Sequence, residues 1–513
     1  MIDPDGGLTT YSYDSRNLLA ALENSYNERT TWQYDALGRA TTMSYANGAI
    51  AEYDYDAAGR LTALRNLKAD RSALSIFTYS YDAVGNRTQV QEASGDVVSW
   101  SYDEIGQLTR ERRSGANSYD MTYTYDAVGN RLTKEEGGVV TTYSYDAANQ
   151  LLTTEDNTGV TSFSYDANGN TLLELWPNSD RVTYTWDIEN RQTKVELPAN
   201  VVNTITLDGD GKRRSIEDTA GLRKLIWEGE NILAELDNAD ATLAAYTLAP
   251  EIYGSLISQH RSGATSFHHF DGLGSTNKLT DSNAASLVEY LYRAFGQQSV
   301  LSGSSANRFT WVGKLGYYRQ ADPDDYWVRA RIASPISGRW LSRDLLQDYR
   351  NAYSYAGNRP IDLNDPTGMF CMKTGSECHI EWKGKPRIGP LQRTVNVDGP
   401  FVPKWVWSED GWSFPVCYYT YQIIYFKLVY GIAEEVCTKY YICCSCNPLR
   451  CQRRKVVERH HLISPISIII HVDTGWCGGL GKKNWGTGYG EYWSCLSTCQ
   501  GRIYDSPVFP PQA

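Results

Sequence analysis

A motif of two aromatic residues followed by aspartate recurs along the first part of the chain and constrains its fold more than any other feature. Nine copies end at Asp14, Asp35, Asp56, Asp82, Asp103, Asp126, Asp146, Asp166 and Asp187, with spacings between 20 and 26 residues. Most copies continue as Ala-x-Gly followed by Asn or Arg. A period of this length predicts a repeat architecture in which each unit is one piece of supersecondary structure.

Each repeat has the pattern of a strand, a turn and a second strand. Aromatic residues separated by one position lie on the same face of a strand. An aspartate such as Asp126 begins a turn because its carboxylate accepts hydrogen bonds from backbone N–H groups that follow it. Gly129, three positions later, supplies the positive φ that the turn requires. One unit cannot bury its aromatic face alone, so we expect an all-β fold in which stacked units share one long sheet.

The recurring carboxylates have a second interpretation, because calcium sites and glycosidases also use them. They lack the close alternation of a calcium loop, so turn formation is the favoured interpretation, and we expect no metal and no cofactor. A degenerate tenth copy follows at Asp208 or Asp210.

The repeat, YxYDxxGR at about 21 residues, resembles that of the Rhs/YD-repeat proteins. This superfamily includes bacterial Rhs toxins, the C components of insecticidal toxin complexes and the YD shell of teneurins. The resemblance extends over residues 1–369. It implies a β-sheet ribbon that spirals into a hollow shell, or into part of one if ten repeats do not close it.

Residues 216–369 lose the strict period and resemble the Rhs repeat-associated core. The resemblance rests on the segments YWVRAR at 326–331, SPISGRWLSRD at 334–344 and NAYSYAGNRPIDLNDPTGM at 351–369. The chain departs from the core pattern at residues 333–335, at Leu345 and at Met369. His268 and His269 fall at strand positions before a turn, so we expect them to be structural.

The resemblance implies that the core cuts its own backbone after the last residue of the DPTGM segment. Carried over to this sequence, the carboxylates are Asp344 and Asp365, and the scissile bond is Met369–Phe370. The candidate arginine is Arg343, with Arg339 as the alternative. Two carboxyl groups held close together divide one proton between them, as in aspartic proteases, so one can act as acid and the other as base. The segment is also good turn chemistry, and the two interpretations are compatible.

The sequence changes character after residue 369. All eleven cysteines lie beyond it, and a balance of 49 acidic to 33 basic residues, net −16, gives way to 11 acidic and 16 basic residues, net +5. This density of cysteine is typical of disulfide scaffolds, while the CxxC pairs of a zinc ribbon are missing. We expect a small cysteine-rich domain with a β-rich fold.

A basic run at 450–455 precedes His460 and His461. This pattern is found in HNH-like nucleases, but a basic surface loop would show it as well.

These observations predict three domains: the repeat array at 1–215, the core at 216–369 and a variable C-terminal domain at 370–513. The expected function is an encapsulating shell that presents or releases its C-terminal domain by self-cleavage. The alternatives are an uncleaved cell-surface adhesive protein with a disulfide-rich recognition module, and a C-terminal nuclease toxin.

The expected partners are the protein's own C-terminal domain as cargo, an immunity protein or a cell-surface target, and the expected location is secreted or cell-surface. The shell itself is not expected to bind nucleic acid. The chain opens inside a repeat without the features of a signal peptide, as a fragment would. No apolar run reaches the length of a membrane span.

Overall fold

The computed structural model describes residues 7–344 and 351–369 in full and, beyond them, the backbone of strand residues 372–373, 380–382, 387–407, 413–430, 433–444, 451–461 and 466–474. Its main element is an antiparallel sheet of 28 strands in which each strand pairs with the next along the chain. The strands are β1 Thr10–Tyr13, β2 Leu19–Glu23, β3 Arg29–Tyr34, β4 Ala40–Ser44, β5 Ile50–Tyr55, β6 Leu61–Leu67, β7 Ala73–Tyr81, β8 Arg87–Glu92, β9 Val97–Tyr102, β10 Leu108–Ser114, β11 Tyr119–Tyr125, β12 Arg131–Glu136, β13 Val139–Tyr145, β14 Leu151–Asp156, β15 Gly159–Tyr165, β16 Thr171–Leu175, β17 Arg181–Trp186, β18 Gln192–Leu197, β19 Val201–Leu207, β20 Arg213–Asp218, β21 Gly221–Glu228, β22 Asn231–Leu236, β23 Thr242–Leu248, β24 Leu256–Arg261, β25 Ala264–Phe270, β26 Thr276–Thr280, β27 Ser286–Tyr292 and β28 Gln298–Gly303.

The turn of each repeat forms as its sequence predicts. Asp35 Oδ1 accepts hydrogen bonds from the backbone N–H groups two and four residues on, both at 2.9 Å, and Gly38 has φ 81°. The degenerate tenth copy follows the same rule through Asp208, whose Oδ1 accepts from the N–H groups of Asp210 and Lys212 at 2.9 Å. The turn therefore begins at Asp208, and the sequence alternative at Asp210 falls inside it.

The second aromatic residue of each motif ties its repeat to the preceding one. Tyr55 Oη donates to Ala40 O at 2.9 Å and Tyr125 Oη to Leu108 O at 2.8 Å. The pairing register shifts by one residue at this aromatic in most repeats, as it does between Asp54 and Tyr55. Arginines at the turns add to the link, as the Arg39 guanidinium lies over the Tyr55 ring at 4.6 Å. The predicted all-β repeat fold, with contacts between neighbouring units, is thus confirmed.

The sheet also curls until strands near its end meet strands near its beginning. Tyr45 Oη donates to His268 O at 2.9 Å, and Asn66 Nδ2 donates to Phe270 O at 3.0 Å. The Gly272 N–H donates to Tyr79 Oη at 2.7 Å. Apolar residues of β2–β9 and of β24–β25 share one buried cluster at this junction. The sheet is therefore closed on itself by contacts between residues more than 200 positions apart.

A compact segment follows the sheet. It contains short strands β29 Tyr318–Arg319, β30 Tyr326–Val328, β31 Arg331–Ser334, β32 Arg339–Trp340 and β33 Leu363–Asn364, with 3-10 turns at Gly313–Leu315 and Tyr355–Asn358; a third 3-10 turn, Pro198–Asn200, lies within the sheet. It is hydrogen-bonded to the turns of the repeats: Asn358 Nδ2 donates to Gln107 Oε1 at 2.9 Å, and Tyr353 Oη donates to Gly169 O at 2.8 Å. We refer to residues 307–369, without the undescribed 345–350, as the core segment.

Beyond the core segment, β34 Met372–Lys373 pairs with β33 in a two-stranded sheet. The remaining strands form two antiparallel three-stranded sheets: β35 Ile380–Trp382, β38 Ala433–Cys444 and β39 Cys451–His461 in one, and β36 Arg387–Trp407, β37 Ser413–Tyr430 and β40 Ile466–Thr474 in the other. Contacts divide the chain into two units, residues 1–375 and 376–513. The predicted boundary at residue 215 falls within β20, where the strict period ends but the sheet continues. Within the described residues, no helix has the length and apolar character of a membrane span.

Candidate active site

Residues 365–369 form the same aspartate turn as the repeats. Asp365 Oδ1 accepts hydrogen bonds from the N–H groups of Thr367 at 3.3 Å and Met369 at 3.0 Å, and from Thr367 Oγ1 at 3.0 Å. Gly368 has φ 73°, as the glycine of the repeat turn does. The turn interpretation of this segment therefore holds, and it places the Asp365 carboxylate beside the predicted cut.

The turn at residues 365–369 packs closely against the loop between β30 and β31. A Cβ atom at Gly368 would lie 2.3 Å from Val328 O, so only glycine fits there. Ala330 N–H donates to Thr367 O at 3.1 Å, and the Arg329 guanidinium donates to Pro366 O. Desolvation lowers the pKa of the part-buried Arg329, and the carbonyl oxygens that its guanidinium contacts offset part of that cost.

The other side of the turn is fixed by a buried tyrosine. Asp365 N–H donates to Tyr317 Oη at 2.8 Å, and Tyr317 Oη donates to Asp365 O at 2.9 Å. Tyr317 Oη also lies 2.9 Å from Tyr355 Oη, within an aromatic cluster that includes Trp311 and Trp340. Because these groups are buried and hydrogen-bonded, the backbone at Asp365 has little freedom to move.

A single arginine lies between the two predicted carboxylates. Arg331 Nη2 is 3.0 Å from Asp344 Oδ2 and 3.2 Å from Asp365 Oδ2. All three residues are at most 5% exposed. The guanidinium lies over the Trp340 ring at 4.1 Å, and its Nε donates to Gly368 O. Arg331 thus binds both carboxylates and the backbone of the turn, and the fork geometry of arginine suits such a role.

The two arginines selected from the sequence lie elsewhere. Arg343 is exposed. Arg339 is buried, donates to Asn130 Oδ1 at 3.2 Å and to Asn149 O at 2.5 Å, and lies over the Tyr145 ring, so it anchors the core segment on the repeat array. Sequence reasoning missed Arg331, although the YWVRAR segment at 326–331 that contains it is one of those that carry the resemblance.

The peptide group one residue before the predicted scissile bond is hydrogen-bonded on both sides. Arg331 Nε binds Gly368 O, and the Met369 N–H binds Asp365 Oδ1, so both groups of the Gly368–Met369 peptide are engaged. Phe370, on the far side of the predicted bond, lies outside the described residues. These hydrogen bonds fix the position of Met369, and the carbonyl group of Met369 is the one that the predicted cut would attack.

The structure also locates the two histidine pairs named in the sequence analysis and bears on the question of a metal site. His268 and His269 are buried strand residues whose rings contact Thr276 Oγ1 at 3.2 Å and Thr280 Oγ1 at 2.8 Å. His460 and His461 end β39, where the register sets them opposite Glu435 and Glu434, and their side chains lie outside the described part. Within the part that the structure describes, no group of His, Cys, Asp and Glu is arranged to hold a metal ion.

Comparison with known proteins agrees with the repeat fold. Residues 2–112 and 74–216 match the teneurin YD-shell family. The tRNA3(Ser)-specific nuclease WapA of Bacillus spizizenii is 28% identical over 200 residues, which are 37% of this chain and 8% of that protein. The tRNA nuclease WapA of Bacillus subtilis strain 168 is 27% identical with the same coverage. The chain therefore spans less than a tenth of the length of these relatives.

A solved structure shares the fold at low sequence identity. It is the structure of the Photorhabdus luminescens Tc holotoxin pore that carries the mutation TccC3-D651A. It aligns with a TM-score of 0.53 and 17% identity, and covers 73% of this chain and 22% of that one. The nine repeats, the closed sheet that they build and the family match together show that the repeat array, residues 2–216, is that of an Rhs/YD-repeat protein.

Proposed function

We propose that this protein is a YD-repeat shell that cuts its own backbone after Met369 and so separates residues 370–513 as an effector. The observation that carries the proposal is the buried cluster of Asp344, Asp365 and Arg331 at the turn that ends with Met369. Buried carboxylates that converge on one backbone turn are unusual in a purely structural role, because taking charge out of water is costly.

The proposed reaction is hydrolysis by a carboxyl pair. Water adds to the Met369 carbonyl carbon while one carboxylate takes a proton from that water. The other carboxyl group gives a proton to the Phe370 nitrogen as the C–N bond breaks. The products are the Met369 carboxylic acid and the Phe370 amine, and one proton has passed from one aspartate to the other. Arg331 holds both carboxylates and the Gly368 carbonyl in place for this step.

The opposite charges of the two parts support the role of residues 370–513 as cargo. Residues 1–369 carry a net charge of −16 and residues 370–513 a net charge of +5, so the two parts attract each other. An effector of this kind requires an immunity protein in the cell that makes it, and acts after secretion or at the cell surface.

Replacement of either aspartate tests the proposal. On a denaturing gel, division of the 57.7 kDa chain in proportion to 369 and 144 residues gives pieces of about 41 and 16 kDa. We expect these pieces from the wild-type chain and only the intact chain from Asp344→Asn and Asp365→Asn, because asparagine keeps the shape but cannot exchange a proton. A wild-type chain that stays intact would refute self-cleavage.

A matched control is Asp146→Asn, which changes a turn aspartate of the array. Asp146 Oδ1 accepts from the N–H groups of Ala148 and Gln150, both at 2.8 Å, as Asp365 does in its own turn. This variant should be cut like the wild type. Sequencing the new amino terminus locates the bond. A fragment that begins with Phe370 supports the predicted cut, whereas one that begins with Met369 places the cut at the Gly368–Met369 peptide, which Arg331 contacts.

A nuclease is the effector activity that the relatives favour, since both proteins named above are tRNA nucleases by name. The register of β38 and β39, which sets His460 and His461 opposite two glutamates, adds acid and base groups at one end of a strand pair. Intact cellular tRNA after expression of residues 370–513 in the cytoplasm would argue against this activity and leave a binding module as the alternative. A loss of tRNA that His460→Ala and His461→Ala abolish would support it.

A further inference from the structure

The turn that carries the predicted cut is the loop of a β-hairpin. Leu363 pairs with Lys373 and Asn364 pairs with Met372, in antiparallel register. Residues 365–371 lie between the two strands, so both the Met369–Phe370 bond and the Gly368–Met369 bond fall in the loop. The chain on the far side of the cut is therefore bound to the chain on the near side before cleavage.

The hydrogen bonds of the hairpin can be assigned to particular atoms. In an antiparallel pair, opposed residues alternate between those that exchange both backbone hydrogen bonds and those that exchange none. Leu363 N–H donates to Arg359 O at 3.0 Å, and Asp365 N–H donates to Tyr317 Oη at 2.8 Å. Both N–H groups are thus engaged elsewhere, which leaves Asn364 and Met372 as the hydrogen-bonded pair.

The two sides of the cut are held in different ways. The near side, residues 365–369, is bound by the side chains of Arg329, Arg331 and Tyr317 and by its own aspartate. The far side is bound at residues 372–373 by pairing with β33, and strand pairing engages the main chain. Asn364, which supplies that pairing, is 3% exposed and belongs to the buried core segment.

We propose that β33 acts as a main-chain clamp that positions the leaving side of the cut, with the Met372 N–H to Asn364 O hydrogen bond as its key contact. The inference rests on the proposed self-cleavage. A clamp that binds only backbone accepts any side chains at 372 and 373, provided that residue 372 has an N–H group. The specificity of the reaction then lies on the near side, and unrelated C-terminal sequences can be cut by the same core segment.

Proline substitutions test the clamp, because proline removes a backbone N–H. The full chain is made by cell-free translation, and the cut fraction is followed with time. Met372→Pro should slow cleavage roughly tenfold or more, since it removes the ladder hydrogen bond and leaves a buried carbonyl without its donor. Lys373→Pro is the matched control, because its N–H lies on the outer edge of the ribbon, where proline is tolerated. Met372→Ala and Lys373→Ala keep both N–H groups and should be cut at close to the wild-type rate.

The outcomes separate the clamp from the self-cleavage on which it rests. No cleavage of the wild-type chain refutes the proposed function and the clamp with it. Wild-type cleavage with equal rates for Met372→Pro and Lys373→Pro refutes the clamp alone. A loss in Met372→Ala as large as in Met372→Pro also refutes it, since the side chain would then be what is recognised, and this comparison holds even if both proline variants misfold.

Discussion

At the scale of single residues, three arginines of the core segment show how environment decides role. Arg343 follows the family pattern but is exposed, and Arg339 is buried against the repeat array. Arg331 is 13 positions before Asp344 in the sequence, yet it binds both carboxylates because β31 brings it back to the turn. Its position results from tertiary contacts and not from a local motif.

Arg331→Lys tests this assignment. Lysine keeps the buried positive charge but loses the planar fork that reaches two carboxylates and a carbonyl oxygen together. We expect self-cleavage to slow by roughly 10- to 100-fold, the usual effect of losing one charge-assisted hydrogen bond. Arg343→Lys, measured by the same time course, should stay within about twofold of the wild type, in line with the small effect of exposed sites. A larger loss of cleavage rate in Arg343→Lys than in Arg331→Lys would instead support Arg343, the arginine chosen from the sequence, as the one that acts at the site.

The candidate site could be predicted from the sequence in part. Asp344 and Asp365 belong to segments with a recognisable pattern, and the structure brings both to Arg331. The arginine could not be chosen, because Arg331, Arg339 and Arg343 all lie near aromatic residues and only the pairing of β31 with β30 and β32 separates them. The hairpin that spans the predicted cut was also hidden, since two-residue strands leave no periodic signal.

At the scale of elements, the repeat strands were predictable and strand β25 shows what was not. The alternation of aromatic residues and the aspartate turns define the repeat strands locally. β25 Ala264–Phe270 is buried at all positions but its first, because it packs both against the beginning of the same sheet and against the core segment. Its adjacent residues His268 and His269 point to opposite faces and are both buried.

The buried histidines of β25 predict a loss of stability in acid. Burial, assisted by the neighbouring His269, lowers the pKa of His268 to about 3, and burial with the charge of Lys278 lowers that of His269 to about 3. Between pH 6.5 and about 3 the unfolded chain therefore binds protons that the folded chain does not, so stability falls as pH falls through this range. Each histidine contributes about 1.4 kcal/mol per pH unit.

Urea unfolding at about pH 7 and about pH 5 measures this effect. The wild type should lose more stability than the double variant His268→Asn, His269→Gln, whose amides replace the ring nitrogens that contact Thr276 and Thr280. Burial raises the pKa of Glu111 and of Asp271, which favours the folded state in acid, but this contribution is common to both proteins. Equal losses in the two proteins would show that the histidines do not govern the acid response.

At the scale of the whole molecule, the first unit, residues 1–375, is a repeat array whose two ends are in contact, so it differs from an open array. In an open array each repeat contacts only its neighbours, and unfolding can spread inward from either end. Here Tyr45, Asn66 and Tyr79 bind residues of β25 and of the turn after it, across more than 190 positions of sequence. The sequence period cannot reveal this closure, because it depends on the curvature accumulated over some twenty strands.

Loss of three of the closing hydrogen bonds should therefore change how the unit unfolds, and not only how stable it is. Tyr45→Phe, Asn66→Ala and Tyr79→Phe each delete one hydrogen bond across the junction, for a combined cost on the order of 3 kcal/mol. By native-state hydrogen exchange, we expect amides of β2–β6 and of β24–β27 to open together in the wild type. In the triple variant those of β2–β6 should open first, since fewer hydrogen bonds then tie them to the end of the sheet. Ser75→Ala is the control, because it removes a 2.9 Å contact of Asn66 within the array and leaves its bond to Phe270 O. A wild type that already opens from its first repeats would mean that the closing contacts do not couple the two ends of the sheet.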